Sequence, residues 1–278
     1  MCVRKMWMSD KLWRELPTSA EPIDLELAGP SGLLAGLQAG GPPTLRWYEA
    51  SRLGLVLGSG QRPAEADLAA CQELGASLHK RASGGTAVLF EPGLIMQDIA
   101  LPIAHPLHVG DVTESYRWLG EIWVATLASV GITTQLIGVA EARADTQALS
   151  PLERRACFGG RSPYELLAGG RKLVGFSQIR RREGAVLQVG MYTRWLPDRL
   201  AALLAMSPEE RAALSARLSE RVTGLTDLLP APPTPKALRA AFAEALAARG
   251  ISLAAADWSV AELTAQAAAR ERYGTLVQ

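Results

Sequence analysis

The chain has no asparagine and only three cysteines, three histidines and five lysines among its 278 residues. Cys2, Cys71 and Cys157 are odd in number and far apart, which argues against a disulfide framework and against a Cys-x-x-Cys metal site. His79, His105 and His108 are a thin supply of ligands, so no metal is expected. A formal net charge of +1 removes the electrostatic reason to expect a nucleic-acid partner. The longest apolar stretch, near Ile122 to Ile132, is too short to span a bilayer, and the late helices carry mixed polar faces, so no membrane partner is expected. The opening run MCVRKMWMSDKLWREL is charged throughout and lacks an apolar core followed by a small-residue cleavage site. The expected location is therefore the cytoplasm. Lys5, Lys11, Lys80, Lys172 and Lys236 stand out in a chain whose other cations are arginine, a bias that fits a GC-rich genome or heat adaptation equally.

What is present is a folded globule, with 48% hydrophobic and 21% charged residues. Its length allows one large domain, or one with a small appendage. Up to about residue 40 the sequence is irregular, with helical turns between Asp24 and Gln38 that Gly29-Pro30 should interrupt. Short β-like runs follow at Leu45–Tyr48, Leu53–Leu57, Thr86–Phe90, Ile95–Ile103, Gln135–Ala140, Lys172–Ile179 and Ala185–Tyr192. Helical periodicity covers 64–74 and 114–130, the latter placing Tyr116, Leu119, Trp123 and Leu127 on one stripe. The pattern is α+β without strict βαβ repetition, which excludes a doubly wound sheet. After about residue 195 it turns helical: Ser207-Pro208-Glu209-Glu210 is a capping box, Thr234-Pro235 opens a helix closing at Gly250, and Ser259 to Glu262 caps a third. Prolines 230, 232, 233 and 235 form a rigid connector. The expected organisation is a catalytic domain over 1–228 and a helical carboxy-terminal segment over 229–278 packed on it.

Two glycine-containing stretches carry the chemistry. In His79-Lys80-Arg81-Ala82-Ser83-Gly84-Gly85-Thr86-Ala87-Val88, paired glycines follow two cations and precede a strand. Such a loop lets backbone N–H groups approach an anion or carbonyl, although a plain tight turn has the same pattern. The second stretch runs from Cys157-Phe158-Gly159-Gly160-Arg161 through Arg171-Lys172 to Gly175-Phe176-Ser177-Gln178. A cysteine on a glycine-flanked loop beside cations is set for thiolate chemistry, whereas Cys71 on its apolar helix is an inert type. Lys172 is either functional or a solvated residue at a strand edge. Between 154 and 182 there are eight cations (Arg154, Arg155, Arg161, Arg171, Lys172, Arg180, Arg181 and Arg182) against Glu165 alone. This is either a solvated face or a docking surface for an acidic protein or a carboxylate or phosphate ligand.

At these residues the sequence resembles the catalytic family shared by biotin and lipoate protein ligases and the octanoyltransferases of lipoate assembly. Lys80 to Val88 is similar to the family's R-R-x-[ST]-G-G-x-A-V segment, and Arg171 to Gln178 to its [GK]-K-x-x-G-x-[AS]-Q segment. Pro43 to Tyr48 and Gly58 to Gln61 resemble its P-x-x-R-x-Y and G-x-x-Q elements, and the likeness covers roughly residues 20 to 275. The resemblance implies a mixed, largely antiparallel sheet flanked by helices.

Within that family C-F-x-x-x-S-x-Y-E-L at Cys157 to Leu166, fifteen residues before Lys172, resembles the cysteine-dependent octanoyltransferase branch rather than the ATP-using ligases. The resemblance implies Cys157 as acyl acceptor and Lys172 as its catalytic partner. It implies Arg81, Ser83, Gly84, Gly85, Ala87, Gly175, Ser177 and Gln178 as substrate-binding residues. The implied partners are octanoyl-acyl carrier protein as donor and a lipoyl domain of the glycine cleavage H protein or an E2 subunit as acceptor. No cofactor is implied, and a monomer is expected. Strands 86–90 and 135–140 are the expected lining of an acyl tunnel. Thr86, Phe90-Glu91 and Val189 depart from that branch, while Gly84 to Leu101 and Gly175 to Gln178 lie nearer the amidotransferase that moves octanoyl groups between lipoyl-bearing proteins. The alternatives left open are that amidotransferase, an ATP-dependent lipoate ligase, and a silent module that docks lipoyl domains or carrier protein.

Overall fold

The computed structural model describes residues 11–276. Cys2, Lys5 and most of the opening run read for a secretory signal lie outside the described residues. Among the described residues eleven strands form two sheets. In the eight-stranded sheet the order is β11-β1-β2-β6-β10-β9-β8-β7, where β1 is Leu12–Glu15, β2 Thr44–Glu49, β6 Leu94–Pro102, β7 Gln135–Leu136, β8 Leu166–Ala168, β9 Arg171–Arg181, β10 Gly184–Tyr192 and β11 Ser252–Ala255. The small sheet runs β4-β3-β5, with β3 Gly54–Leu57, β4 Ser77–Lys80 and β5 Val88–Phe90. Only β1 with β2, β1 with β11 and β3 with β4 pair in parallel, so the expected mixed, largely antiparallel α+β sheet is what forms.

Gly29-Pro30 does not interrupt the first helix. α1 runs unbroken over Ile23–Gln38 with Pro30 inside it. Proline has no N–H to give the carbonyl four residues back, and that carbonyl, of Glu26, instead accepts Nη2 of Arg46 at 2.9 Å. Gly29 leaves the room: a Cβ there would lie 2.1 Å from Nη1 of Arg46. The Gly-Pro pair is a notch in which a buried guanidinium docks on the helix.

The two faces of the large sheet differ. On one, α3 (Arg117–Ser129) and a carboxy-terminal helix, α7 (Pro235–Ala247), cover Trp47, Ile99 and Leu187, with Trp123 and Phe242 packed against Trp47 at 5.8 and 5.5 Å between ring centroids. The stripe read from the sequence, Tyr116, Leu119, Trp123 and Leu127, is buried here. The other face carries a polar row, Arg46–Asp98–Gln188–Ser177, directly opposed across β2, β6, β10 and β9. α1, α8 (Val260–Arg270) and the small sheet cover this side.

Two further sequence expectations change. Residues 135–140 are not one strand: β7 ends at Leu136 and α4 spans Val139–Ala148. The 229–278 segment holds α7 and α8 as read, and also β11, which pairs with β1 and extends the large sheet. The remaining helices are α2 (Leu68–Glu73), α5 (Pro197–Ala202) and α6 (Pro208–Arg221), the last opened by the capping box at Ser207 and Glu210.

Candidate active site

β8 pairs with β9 only as far as Val174, so from Gly175 onward β9 lacks a strand on that side. The site forms along this edge. Glu165, just before β8, accepts the N–H of Phe176 at 2.9 Å and the N–H of Ser162 at 2.7 Å. Farther along, Gln178 donates to the Val112 carbonyl and to Ser115 Oγ at 2.9 and 3.1 Å. The Glu165 carboxylate thus takes up the Phe176 N–H that the missing strand leaves, and the Gln178 side chain ties the edge to the 112–115 segment.

Cys157 opens a 3-10 turn, Cys157–Gly159. Its N–H donates to the Ala87 carbonyl at 2.9 Å, and the N–H of Ala87 donates to the Arg155 carbonyl at 3.2 Å, which ties the cysteine turn to the glycine loop. Gly85 has φ of +87°, and a Cβ there would fall 3.1 Å from Cys157 Sγ and 2.8 Å from Arg81 Nη2. Only glycine suits both the dihedral and the space. The Gly58–Gln61 element braces the loop from behind: a Cβ on Gly58 would sit 1.8 Å from the Gly85 carbonyl oxygen. Gln61 accepts the Gly58 N–H at 3.1 Å, and Ser59 N–H donates to the Ser83 carbonyl at 3.1 Å.

Arg81 Nη2 lies 3.5 Å from Cys157 Sγ and donates to the Gly84 carbonyl at 2.8 Å. A guanidinium held there sets a charged N–H donor at the sulfur. Lys172, 2% exposed, is held by Glu165 Oε2 at 2.8 Å and by the carbonyls of Gly160 at 2.9 Å and Cys157 at 3.4 Å. Its ammonium also lies 5.0 Å from the Phe158 ring centroid. Lys172 is therefore no solvated edge residue, and Arg81 is the cation seen at the thiol.

Two cavities meet at Cys157. A polar one of about 540 Å³ is lined by Gly84, Gly85, Lys172, Ser177 and Gln178 among others, and a narrow apolar one of about 50 Å³ by Tyr48, Val88, Phe90, Met96 and Phe158 with Arg81 and Gly175. Gly175 faces Gly190 across the β9–β10 pair, and these two bare positions leave the floor on which Phe158 rests. Ser83 and Ala87 line neither cavity. Ser83 is buried with its hydroxyl 3.4 Å from that of Ser177, and Ala87 acts through its backbone. Of the two runs expected to line an acyl tunnel, 86–90 contributes Val88 and Phe90 to the narrow cavity, whereas no residue of 135–140 reaches it. Burial pushes the Tyr116 phenol well up, so this residue of the polar cavity's wall stays protonated.

His79 is neither at the surface nor near the thiol. It is buried, with Nδ1 2.7 Å from the Tyr273 carbonyl and Nε2 2.8 Å from Ser77 Oγ. The cationic run is not one face either. Arg155 is spent on the carbonyls of Ala205 and Glu65, and Arg180 on those of Val109 and Gly110; Arg154 is exposed but donates to the carbonyls of Leu149 and Thr146, and Arg181 and Arg182 are exposed. Sequence reasoning passed over Glu165 as a mere counter-charge, yet it joins Lys172 to the β9 edge; the available signal was its place in the S-x-Y-E-L segment. Its neighbour Tyr164 has φ of +67°, a costly conformation for a side chain of that size.

Among the described residues no group of three or more His, Cys, Asp and Glu side chains is placed to hold a metal, and no helix is long and apolar enough to cross a membrane. The chain is 33% identical over 226 residues to the octanoyltransferase LipM of Moorella thermoacetica, covering 80% of each chain. It is 34% identical over 248 residues to that of Kyrpidia tusciae, covering 85% of this chain and 88% of the relative. In fold it is similar to the bipartite lipoate protein ligase of Thermoplasma acidophilum, with a TM-score of 0.75 at 18% identity over 94% of this chain and 92% of the other. It is likewise similar to a lipoate-protein ligase A bound with ATP, with a TM-score of 0.72 at 20% identity over 93% and 94%. The lipoyl protein ligase A/B catalytic domain matches residues 30–247, and this chain therefore belongs to that family.

Proposed function

We propose that this protein is an acyltransferase of lipoate assembly that moves an octanoyl group from octanoyl-acyl carrier protein to a lysine of a lipoyl domain through a thioester on Cys157. The observation that carries the reading is the placement of Cys157: its sulfur lies 3.5 Å from Arg81 Nη2, where a polar cavity meets an apolar pocket. The relatives named octanoyltransferase LipM support the acyl group, and the Thermoplasma ligase, described with its E2 lipoyl domain, supports the acceptor.

In the first step the Cys157 thiol gives its proton to solvent, its sulfur attacks the donor carbonyl, a C–S bond to Cys157 forms as the carrier's C–S bond breaks, and the carrier sulfur leaves as a thiolate that takes a proton back from solvent. In the second, the acceptor amine attacks the Cys157 thioester, the amide forms, and the amine's proton ends on the departing Cys157 sulfur. The first exchange is nearly isoenergetic and the amide is the more stable product, so the sequence needs no ATP. Lys172 has two short bonds and one long one, to the Cys157 carbonyl at 3.4 Å. The long one is readily exchanged for a carbonyl oxygen as charge develops there. The apolar pocket receives the acyl tail once Met96, an adaptable thioether side chain, draws aside. A monomer in the cytoplasm is part of the same reading.

The test is intact mass spectrometry after mixing with octanoyl-acyl carrier protein without ATP, comparing wild type with Cys157→Ala. A cysteine-dependent octanoyl adduct that passes to a lipoyl domain is expected. Lipoyl-domain modification only with ATP and free octanoate or lipoate would replace this reading with a ligase. Acylation from an octanoylated H protein and not from carrier protein would replace the donor.

A further inference from the structure

The polar cavity does not end at its own rim. A second cavity of about 290 Å³ lies beside it, and Thr146, Arg161 and Ser162 line both, so the two form one groove from Cys157 past Arg154 and Arg161 to Arg143 on α4. Arg161 stands at the junction in a prepared state. Its Nη2 donates to the Gly170 carbonyl at 2.7 Å, while its Nε is shut off from solvent with no hydrogen-bond partner, the nearest carboxylate oxygen, Asp145 Oδ1, being 3.7 Å away. Asp145 is engaged by Arg221 at 2.6 Å and also accepts the Arg161 N–H at 3.1 Å, so the carboxylate closest to the junction is already neutralised. The neighbouring Ser162 is exposed on the same wall.

A protein-borne thioester reaches a thiol at the inner end of such a groove only on a slender arm. An arm attached through a phosphodiester carries its negative charge at the end remote from the thioester, which is where this groove holds its cations.

We propose that the Arg161–Ser162 junction, flanked by Arg154 and Arg143, is a binding site for the phosphate of a phosphopantetheine-type arm whose thioester end lies at Cys157. The proposal rests on the reading that a thioester acylates Cys157. Arg161 supplies a charge-assisted donor to the phosphate and Ser162 a hydroxyl, while Arg154 and Arg143 add longer-range attraction that salt screens.

The test compares octanoyl-pantetheine with octanoyl-4′-phosphopantetheine as donors to the full chain without ATP, reading kcat/KM for acyl-Cys157 formation. The phosphate is expected to raise kcat/KM by roughly tenfold at low salt. That ratio should fall below about threefold in Arg161→Ala and in Arg143→Glu, and be partly kept in Arg161→Lys. Arg143 is exposed on α4, so its variant keeps the test valid if Arg161→Ala misfolds. Equal rates from the two thioesters in wild type, or an advantage undiminished in both variants, would overturn the site while leaving the acyl-enzyme intact. Acylation by neither thioester would overturn the acyl-transfer reading itself. Octanoyl-carrier protein and octanoyl-coenzyme A, run in parallel, distinguish the two sources of such an arm, and preference for either satisfies the proposal.

Discussion

Glu165→Gln is the most informative single substitution at the site. Oε1 of Glu165 faces the Phe176 N–H at 2.9 Å, and Oε2 faces both the Ser162 N–H at 2.7 Å and the Lys172 ammonium at 2.8 Å. Whichever way the new amide turns, its NH2 meets a donor, and Lys172 loses its carboxylate partner in a setting where both side chains are 2% exposed. Breaking a buried pair by removing one member costs about 3–5 kcal/mol, because the other charge stays desolvated. That is a large share of a total stability of about 5–15 kcal/mol. It should appear as a urea midpoint lower by about 1 M. Lys172→Met alone should be less damaging to the fold, since the Glu165 carboxylate it strands still accepts the N–H groups of Ser162 and Phe176. The double variant should retain at least about 2 kcal/mol more than the sum of the single losses. Acyl transfer should fall in all three, by a drop in kcat for acyl-Cys157 formation. Single losses that add within about 0.5 kcal/mol would refute the view that Glu165 serves chiefly to hold Lys172.

Other perturbations test other parts of the molecule. Gly29→Ala reverses the usual sign for a helix interior, where alanine gains about 1 kcal/mol: the methyl would fall 2.1 Å from the buried Arg46 guanidinium, so thermal melting should show a net loss. In Gly190→Ala the new Cβ meets Met96 Sδ at 3.2 Å and Phe158 Cζ at 3.7 Å, which should leave folding nearly intact and shift the preferred acyl group from octanoyl toward hexanoyl in a competition read by mass. Gly58→Ala drives its Cβ to 1.8 Å from the Gly85 carbonyl, so the loop must move and kcat/KM should fall at least tenfold, with Cys157 still reactive to a small alkylating agent. Burial lowers the pKa of both His79 and His108, so the unfolded chain takes up protons first as pH falls below about 6.5, and stability should drop from there downward. Melting followed from pH 7.5 to 5.5 should show that slope, and His79→Gln with His108→Gln should flatten it.

The parts of the fold legible in the sequence are those whose residues announce themselves locally. Capping boxes located α6 and α8, and alternating apolar runs located β6, β9 and β10, because such signals are short in range. What escaped depends on partners far along the chain. β1 and β11 are four residues each and find one another across more than two hundred positions. α1 was judged broken at Gly29-Pro30 because nothing near that pair shows that Arg46 will donate to the freed carbonyl. The glycine loop and Cys157 were visible as chemistry, but not the division of labour between Arg81 at the sulfur and Lys172 beneath the main chain. Glu165 was hidden for the same reason, since its role exists only after β8 stops short and exposes the Phe176 N–H.

The buried polar row bears on why the site is placed with such economy of side chains. Arg46, fully enclosed, pairs with Asp98 at 2.6 Å and Glu26 at 3.0 Å; Asp98 accepts from Gln188 at 3.0 Å, and the Ser177 hydroxyl lies 3.3 Å from Gln188 Oε1. Burial pushes the Glu26 carboxyl up despite Arg46, a sign that the network is held against a desolvation cost. A hydrophobic row would stabilise the sheet at least as well, but it would not define register. Side chains alternate faces, so a one-residue slip of β6 would turn Asp98 toward Trp47 and Trp123 and bring the neighbouring apolar residues against Arg46. Each of the four strands is thus pinned by a partner that tolerates no slip. The pin on β9 matters most for chemistry, because Ser177 fixes Gly175 opposite Gly190 and Phe176 opposite Val189. A slip there would replace the bare floor of the apolar pocket with side chains and move the N–H that Glu165 holds. The ionic row therefore costs stability at one end of the sheet and fixes, at the other, the edge on which Cys157, Lys172 and Arg81 converge.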